Sequence, residues 1–153
     1  MYGQVFTYSP EDVTMIINDH TLDGFSDGTF IEVVRRTPDF TSVRAIRGRN
    51  GRIHQRDKSG HIDFSLLQTS PDNDLLSKIV AFDVYNQTGL LNVMVKDTGG
   101  TTALQFLDCY LEGIPNSVGF SSNEVTPRSW RIYFSYIAGM HIGGNRGNQL
   151  DFI

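Results

Sequence analysis

The chain has 153 residues, 39% of them hydrophobic and 20% charged. That length suits a single domain that buries about two-thirds of its unfolded surface, and the balance argues against global disorder. No window approaches about eighteen uninterrupted apolar residues, so no membrane anchor is expected. Met1–Phe6 lacks the basic start and long apolar core of a secretory signal. Charge is distributed unevenly: eight of thirteen basic residues lie between Arg35 and Lys58 beside only Asp39 and Asp57, a net of +6. The other residues hold five basic and fifteen acidic groups, a net of −10. Opposite poles on one molecule suit head-to-tail contact between copies, and heterologous contacts of that kind build rings or open filaments.

In chain order, Val13–Ile17 reads as a first strand, followed by turn chemistry at Asn18-Asp19-His20. Gly24 and Asp27-Gly28 punctuate the chain ahead of a second strand, Thr29 to Arg36, that Pro38 stops. The basic loop spans 37–58. Within it Thr41–Arg47 has extended character, and Asn50-Gly51 favours a tight hairpin turn with positive φ. From His61 to Leu66 the alternation is clean, with Ile62, Phe64 and Leu66 on one face and His61, Asp63 and Ser65 on the other.

One helix is well specified, over about residues 71–85. Ser70 is the N-cap candidate, Pro71 suits the first helical position, and Asp72 and Asp74 complement the positive end of the dipole. Leu75, Leu76, Ile79, Val80 and Phe82 form an apolar stripe. Asn86–Gly89 ends the helix. The remainder is again β: Leu90–Lys96, Thr101–Leu111 and Ser129–Ile137, the last with Trp130, Ile132 and Phe134 opposite Arg131, Tyr133 and Ser135. Residues 139–153, rich in Gly and Asn, are expected to be a flexible tail. Six to eight strands and one helix imply a mainly β fold: a small antiparallel β-barrel or sandwich, one flanking helix, and a long charged loop.

Catalytic signatures are missing. His20, His54, His61 and His141 have no metal-ligand spacing, and the single Cys109 reads as a buried small hydrophobe. There is no nucleophile elbow, dinucleotide fingerprint or phosphate loop; Gly48-Arg49-Asn50-Gly51 lacks the Lys-Ser/Thr that a phosphate cradle needs. No enzyme, cofactor or metal is expected. Three readings of the arginine cluster stand: a solvated loop, a nucleic-acid surface, and a contact with an acidic face of another copy. Phe40 is the only aromatic residue between Arg35 and Lys58, so a stacking platform for single strands is absent. Contact between copies is the preferred reading, since long charged loops in compact domains usually function or dock.

Two runs carry a family likeness. One is Asp23-Gly24-Phe25-Ser26-Asp27-Gly28-Thr29-Phe30-Ile31. The other runs from Lys58 to Leu76 and contains Leu66-Leu67-Gln68-Thr69-Ser70-Pro71-Asp72-Asn73-Asp74-Leu75-Leu76. Together with the order of elements over most of residues 10–138, they resemble the tail tube proteins of contractile-tailed bacteriophages. Nothing beyond Gly139 matches.

The resemblance implies a small β-barrel with a flanking helix, six copies per ring, and rings stacked into a tube. Sheath and baseplate proteins would be partners, and genome DNA would pass through the channel without specific binding. The protein would then reside in the virion tail after assembly in the host cytoplasm. A lumen that does not retain DNA must be acidic or uncharged, because each neutralised phosphate adds affinity. Glu32, Asp63 and Ser65 are the candidate channel-lining residues. Arg44, Arg47, Arg49 and Arg52 are the candidates for contact between subunits or rings. The alternatives are the tube of a contractile injection or secretion system, and a nucleic-acid-binding β-barrel.

Overall fold

The computed structural model describes residues 4–145 and 148–151. In chain order the first elements are β1 (Gln4–Thr7), a one-turn 3-10 helix (Pro10–Asp12), β2 (Val13–Ile17), β3 (His20–Thr21) and β4 (Ile31–Arg35). Then come β5 (Phe40–Arg44), β6 (Asn50–His54), β7 (Gly60–Leu66) and the helix α1 (Asp72–Asn86). The chain closes with β8 (Leu91–Asp97), β9 (Ala103–Leu111), β10 (Arg128–His141) and β11 (Asn148–Asp151). Seven strands form one antiparallel sheet in the order β3-β2-β8-β9-β10-β7-β4, while β1 pairs with β11 and β5 with β6. Among the described residues the large sheet does not close: β3 and β4 are its two edges, so the fold is sandwich-like rather than a sealed barrel.

Alternating burial makes the core. β7 buries Ile62, Phe64 and Leu66, and β10 opposes them with Trp130, Ile132 and Phe134. β2 adds Met15 and Ile17, β8 adds Leu91, Val93 and Val95, and β9 adds Leu104, Phe106, Cys109 and Leu111. Strands from both halves of the sheet share this single cluster, so the sheet wraps around its own apolar face. The Phe106 and Phe134 rings meet there at 4.3 Å between centroids. β9 keeps its phase only through a bulge: Asp108 takes φ +54, and register slips so that Cys109 points inward again after Phe106. Such bulges shift alternation by one residue at a defined place.

α1 covers the core with Leu76 and Val80 buried and Leu75 and Ile79 half-buried. It begins one residue later than expected, with Pro71 already in the right-handed helical region at the cap. Ser70 still serves this end: its hydroxyl accepts the Asp72 N–H at 3.3 Å and donates to the Asp23 carbonyl at 2.7 Å. Gln87, left-handed at φ +59, ends the helix and donates its N–H to the Asp83 carbonyl. Phe82, expected in the buried stripe, is instead 60% exposed beside Val84 and Tyr85. A helix can turn only about a third of its circumference to one core, and Leu76 and Val80 claim that arc.

Two further expectations are corrected. Among the described residues eleven strands are present rather than six to eight, because β1, β3 and β11 are two to four residues long, too short to show alternation. The hairpin turn sits at Ala45–Arg49, not at Asn50-Gly51, which lie inside β6 opposite Arg44 and Val43. The segment read as a tail from residue 139 holds the end of β10 and all of β11. Residues 146, 147, 152 and 153 of it lie outside the described residues.

Candidate assembly interface

The basic loop is a free-standing hairpin. Among the described residues β5 and β6 pair only with each other, and every residue from Ser42 to His54 is exposed. The turn is a type I turn closed by a glycine bulge. Gly48 donates to the Ala45 carbonyl and takes φ +80, and Ala45 N–H reaches the Arg49 carbonyl at 2.9 Å. A side chain at that φ is disfavoured, which makes Gly48 the residue that sets the turn. Ile46 stands at its tip, 105% exposed relative to an isolated residue. Cross-strand register gives the hairpin two different faces. Thr41, Val43 and Ile53 share one; Phe40, Arg44, Arg52 and His54 share the other, with the Arg52 guanidinium 4.1 Å from the Phe40 ring centroid.

Charge is neutralised at the base of this hairpin and left open towards its tip. Asp39 accepts from Arg35 Nη2 and Lys58 Nζ, both at 2.6 Å, and these bonds hold its carboxyl far below the usual range. The Ser59 hydroxyl and N–H similarly lower Asp57. Among the described residues no carboxylate lies within ion-pair distance of Arg44, Arg47, Arg49 or Arg52. The four arginines singled out from sequence are therefore brought together as unpaired cations on one protrusion.

Glu32, Asp63 and Ser65 fall on the face of the sheet turned away from the core. Glu32 is directly opposite Asp63, which is opposite Arg131. Asp63 accepts from Arg131 Nε at 2.6 Å and from Nη2 at 3.2 Å. These bonds raise the guanidinium above its ordinary value, so it stays charged. Glu112 lies 3.9 Å from the same Nε. Ser65 pairs with Ser129, their hydroxyls 3.3 Å apart. The next row, His61, Tyr133 and Tyr110, is aromatic, with the tyrosine rings stacked at 5.5 Å. Sequence reasoning missed Arg131 as the counter-ion, because the pairing of β7 with β10 spans 68 residues.

The two family-like runs pack on each other. Asp72, buried in the first turn of α1, accepts the Asp23 N–H at 2.6 Å and lies 2.7 Å from His20 Nε2. Gly24, at φ +79, leaves no room for a Cβ, which would come within 2.8 Å of Ser70 Cβ. Trp130 Nε1 donates to Asn73 Oδ1 at 3.0 Å, tying the helix start to β10. Asp72 thus has a structural role beyond the helix dipole. This junction also forms a groove between the 3-10 helix and the β3–β4 connection. Its volume is about 810 Å³, with Phe25 and Phe30 in its wall and Glu11, Asp23 and Asp27 exposed along it. The Asp-Gly turn cluster signalled a bend in this place, but nothing in the linear order brings Glu11 beside Asp27.

Among the described residues no group of three His, Cys, Asp or Glu side chains is placed to hold a metal ion. No described helix is long and apolar enough to cross a membrane. The overall fold, an open antiparallel sheet with one helix among the described residues, is similar to chains in three solved structures. The chain matches the tube-terminating cap of the anti-feeding prophage at TM-score 0.60 and 11% identity, over 87% of this chain and 90% of the other. It matches the sheath/tube terminator of an extracellular contractile injection system at TM-score 0.54 and 12% identity, over 86% and 95% of the two chains. A chain of the extended sheath–tube complex of such a system gives TM-score 0.56 at 11% identity, over 86% and 89%. No family model matches. In sequence, the chain is 31% identical over 154 residues to the structural protein ORF10 of Pseudomonas phage KPP10, across 95% of this chain and 87% of that protein. The chain belongs to that family of phage structural proteins.

Proposed function

We propose that this protein is a non-enzymatic virion component that forms hexameric rings and that the rings stack into the inner tube of a contractile tail. The observation that carries this reading is the basic hairpin. An isolated two-stranded hairpin is marginal in water, and this one offers an apolar face, a cationic face and a bare isoleucine tip to solvent. Those surfaces make physical sense when covered by another copy. Sheath and baseplate proteins are the further partners of such a tube. In the ring the edge strands β3 and β4 meet the edges of neighbouring subunits, which removes open edges that would otherwise aggregate. The polar sheet face lines the lumen. Glu32, Asp63, Arg131 and Glu112 together are net negative there, so passing DNA is repelled rather than retained.

The test is electron microscopy of the purified protein across a concentration series. Rings or tubes with a central hole are the expected result, and Arg44→Glu combined with Arg49→Glu should leave rings that do not stack. Unimpaired tubes from that variant count against the hairpin's role. A second reading, a tube terminator, is favoured by the cap and terminator chains among the fold's likenesses. It predicts single rings that never grow into stacks, in the parent chain as in the variant.

A further inference from the structure

The groove and the hairpin occupy opposite ends of one strand pair. β4 and β7 run antiparallel with Ile31 opposite Phe64 at one end and Arg35 opposite Gly60 at the other. The groove belongs to the first end: Phe30 directly precedes β4, Phe25 bridges to Leu66, and Ser26 N–H bonds the Ser65 carbonyl. The hairpin leaves from the second end, where Arg36 N–H bonds the Ser59 carbonyl and Gln55 N–H bonds the Asp39 carbonyl. About 15 Å of strand separates the two. A protrusion at one end and a recess at the other cannot satisfy each other within one chain, but they repeat without limit from copy to copy.

Their surfaces also match in chemistry. The groove carries Glu11, Asp23 and Asp27, and among the described residues no basic side chain lines it. The hairpin tip carries Arg47 and Arg49 around the fully exposed Ile46. The groove wall holds Phe25 and Phe30, their rings 5.2 Å apart, and Val13. Among the described residues, none of the three carboxylates has an ion-pair partner. With a volume of about 810 Å³ the recess has room for an isoleucine and its flanking guanidinium groups.

We infer that the groove is the receptor for the hairpin of a second copy: Ile46 seats against Phe25 and Phe30, and Arg47 and Arg49 pair with Glu11, Asp23 and Asp27. This rests on the stacked-ring reading and specifies its acceptor surface. Ion pairs partly shielded by an apolar contact direct register as well as attraction, so the joint admits one axial arrangement of successive rings.

The full chain is tested under conditions where it polymerises, by sedimentation and negative-stain electron microscopy, with circular dichroism as the fold control. Asp27→Arg and Arg47→Asp each change an exposed residue, and each should cut polymerised mass about ten-fold. Combining them on one chain should restore most of it, since the reversed pair attracts again. Ile46→Ser should lower polymerised mass several-fold by removing the apolar contact, whatever the charges do. Groove variants that polymerise like the parent, or a double variant no better than the single ones, overturn this receptor assignment and leave the stacked-ring reading standing. A parent chain that forms only monomers or only single rings overturns both.

Discussion

The β5–β6 hairpin and the β7–β10 pair have the same local structure and opposite surroundings. Both are antiparallel with regular register. In β7 every second residue is buried, whereas in β6 all five are exposed. The first pair is held by the core of its own chain. Among the described residues no other strand pairs with the second and its side chains are largely exposed, so its order in isolation rests mainly on ten paired residues and the clamp at its base. The difference teaches that strand pairing alone does not say which contacts stabilise a strand. Here one pair is buried in the core of its own sheet, and the other stands exposed, which is what the proposed contact between copies would use.

The sharpest way to break the comparison is to remove apolar atoms from each side of it. Phe134→Ala, in the core, should destabilise the chain by about 3–5 kcal/mol in chemical denaturation. Ile53→Ala, on the hairpin, should stay within about 0.5 kcal/mol for the unassembled protein. Similar costs at the two positions would mean that the hairpin packs on its own domain after all.

Cys109 gives a second reading of the core. It is fully buried, and burial pushes its thiol up to about 12. At pH 8 the native chain should react with a thiol reagent on the order of 10³-fold more slowly than the denatured chain. Rapid labelling of the native protein would show that the sheet opens at β9.

Next in size is the junction of the two family-like runs. Asp72→Ala removes the acceptor for the Asp23 N–H and the partner of His20, at a cost of about 1–3 kcal/mol by denaturant titration. Asp72→Asn, which keeps an acceptor, should recover part of the loss.

The smallest effect belongs to the hairpin base. Hydrogen bonds from Arg35 and then Lys58 depress Asp39, so its stabilising contribution is present above the ordinary carboxylate range and is lost as pH falls through the lowered value. That contribution is present at neutral pH, but the clamp is exposed, so Asp39→Asn should lower the unfolding midpoint only slightly there. It should remove a transition in hairpin amide signals that the parent shows only in strong acid, followed by NMR. Salt should weaken this clamp in parallel, because it lies at the surface.

Much of this molecule was readable along the chain. β2 was placed to the residue, β7 by its alternation, and β8, β9 and the start of β10 within one or two positions. Each follows from a local rule: period two, turn residues, or an N-terminal cap with proline. The charge division, a basic protrusion against an acidic remainder, was equally visible, because charge needs no fold to be counted.

What the linear order withheld depends on distance between residues remote in sequence. The Asn50-Gly51 pair was a sound turn signal, yet Gly48 took the turn and left both residues in β6. Phe82 had the right spacing for the core and lost its place to Leu76 and Val80. Neither the Asp63–Arg131 pair nor the groove that gathers Glu11, Asp23 and Asp27 has a local signature. Local pattern settles which residues alternate or turn, since those preferences act over a few peptide bonds. Which faces meet, and which are left without company, is decided only when the sheet curls around one core and uses up the contacts it has.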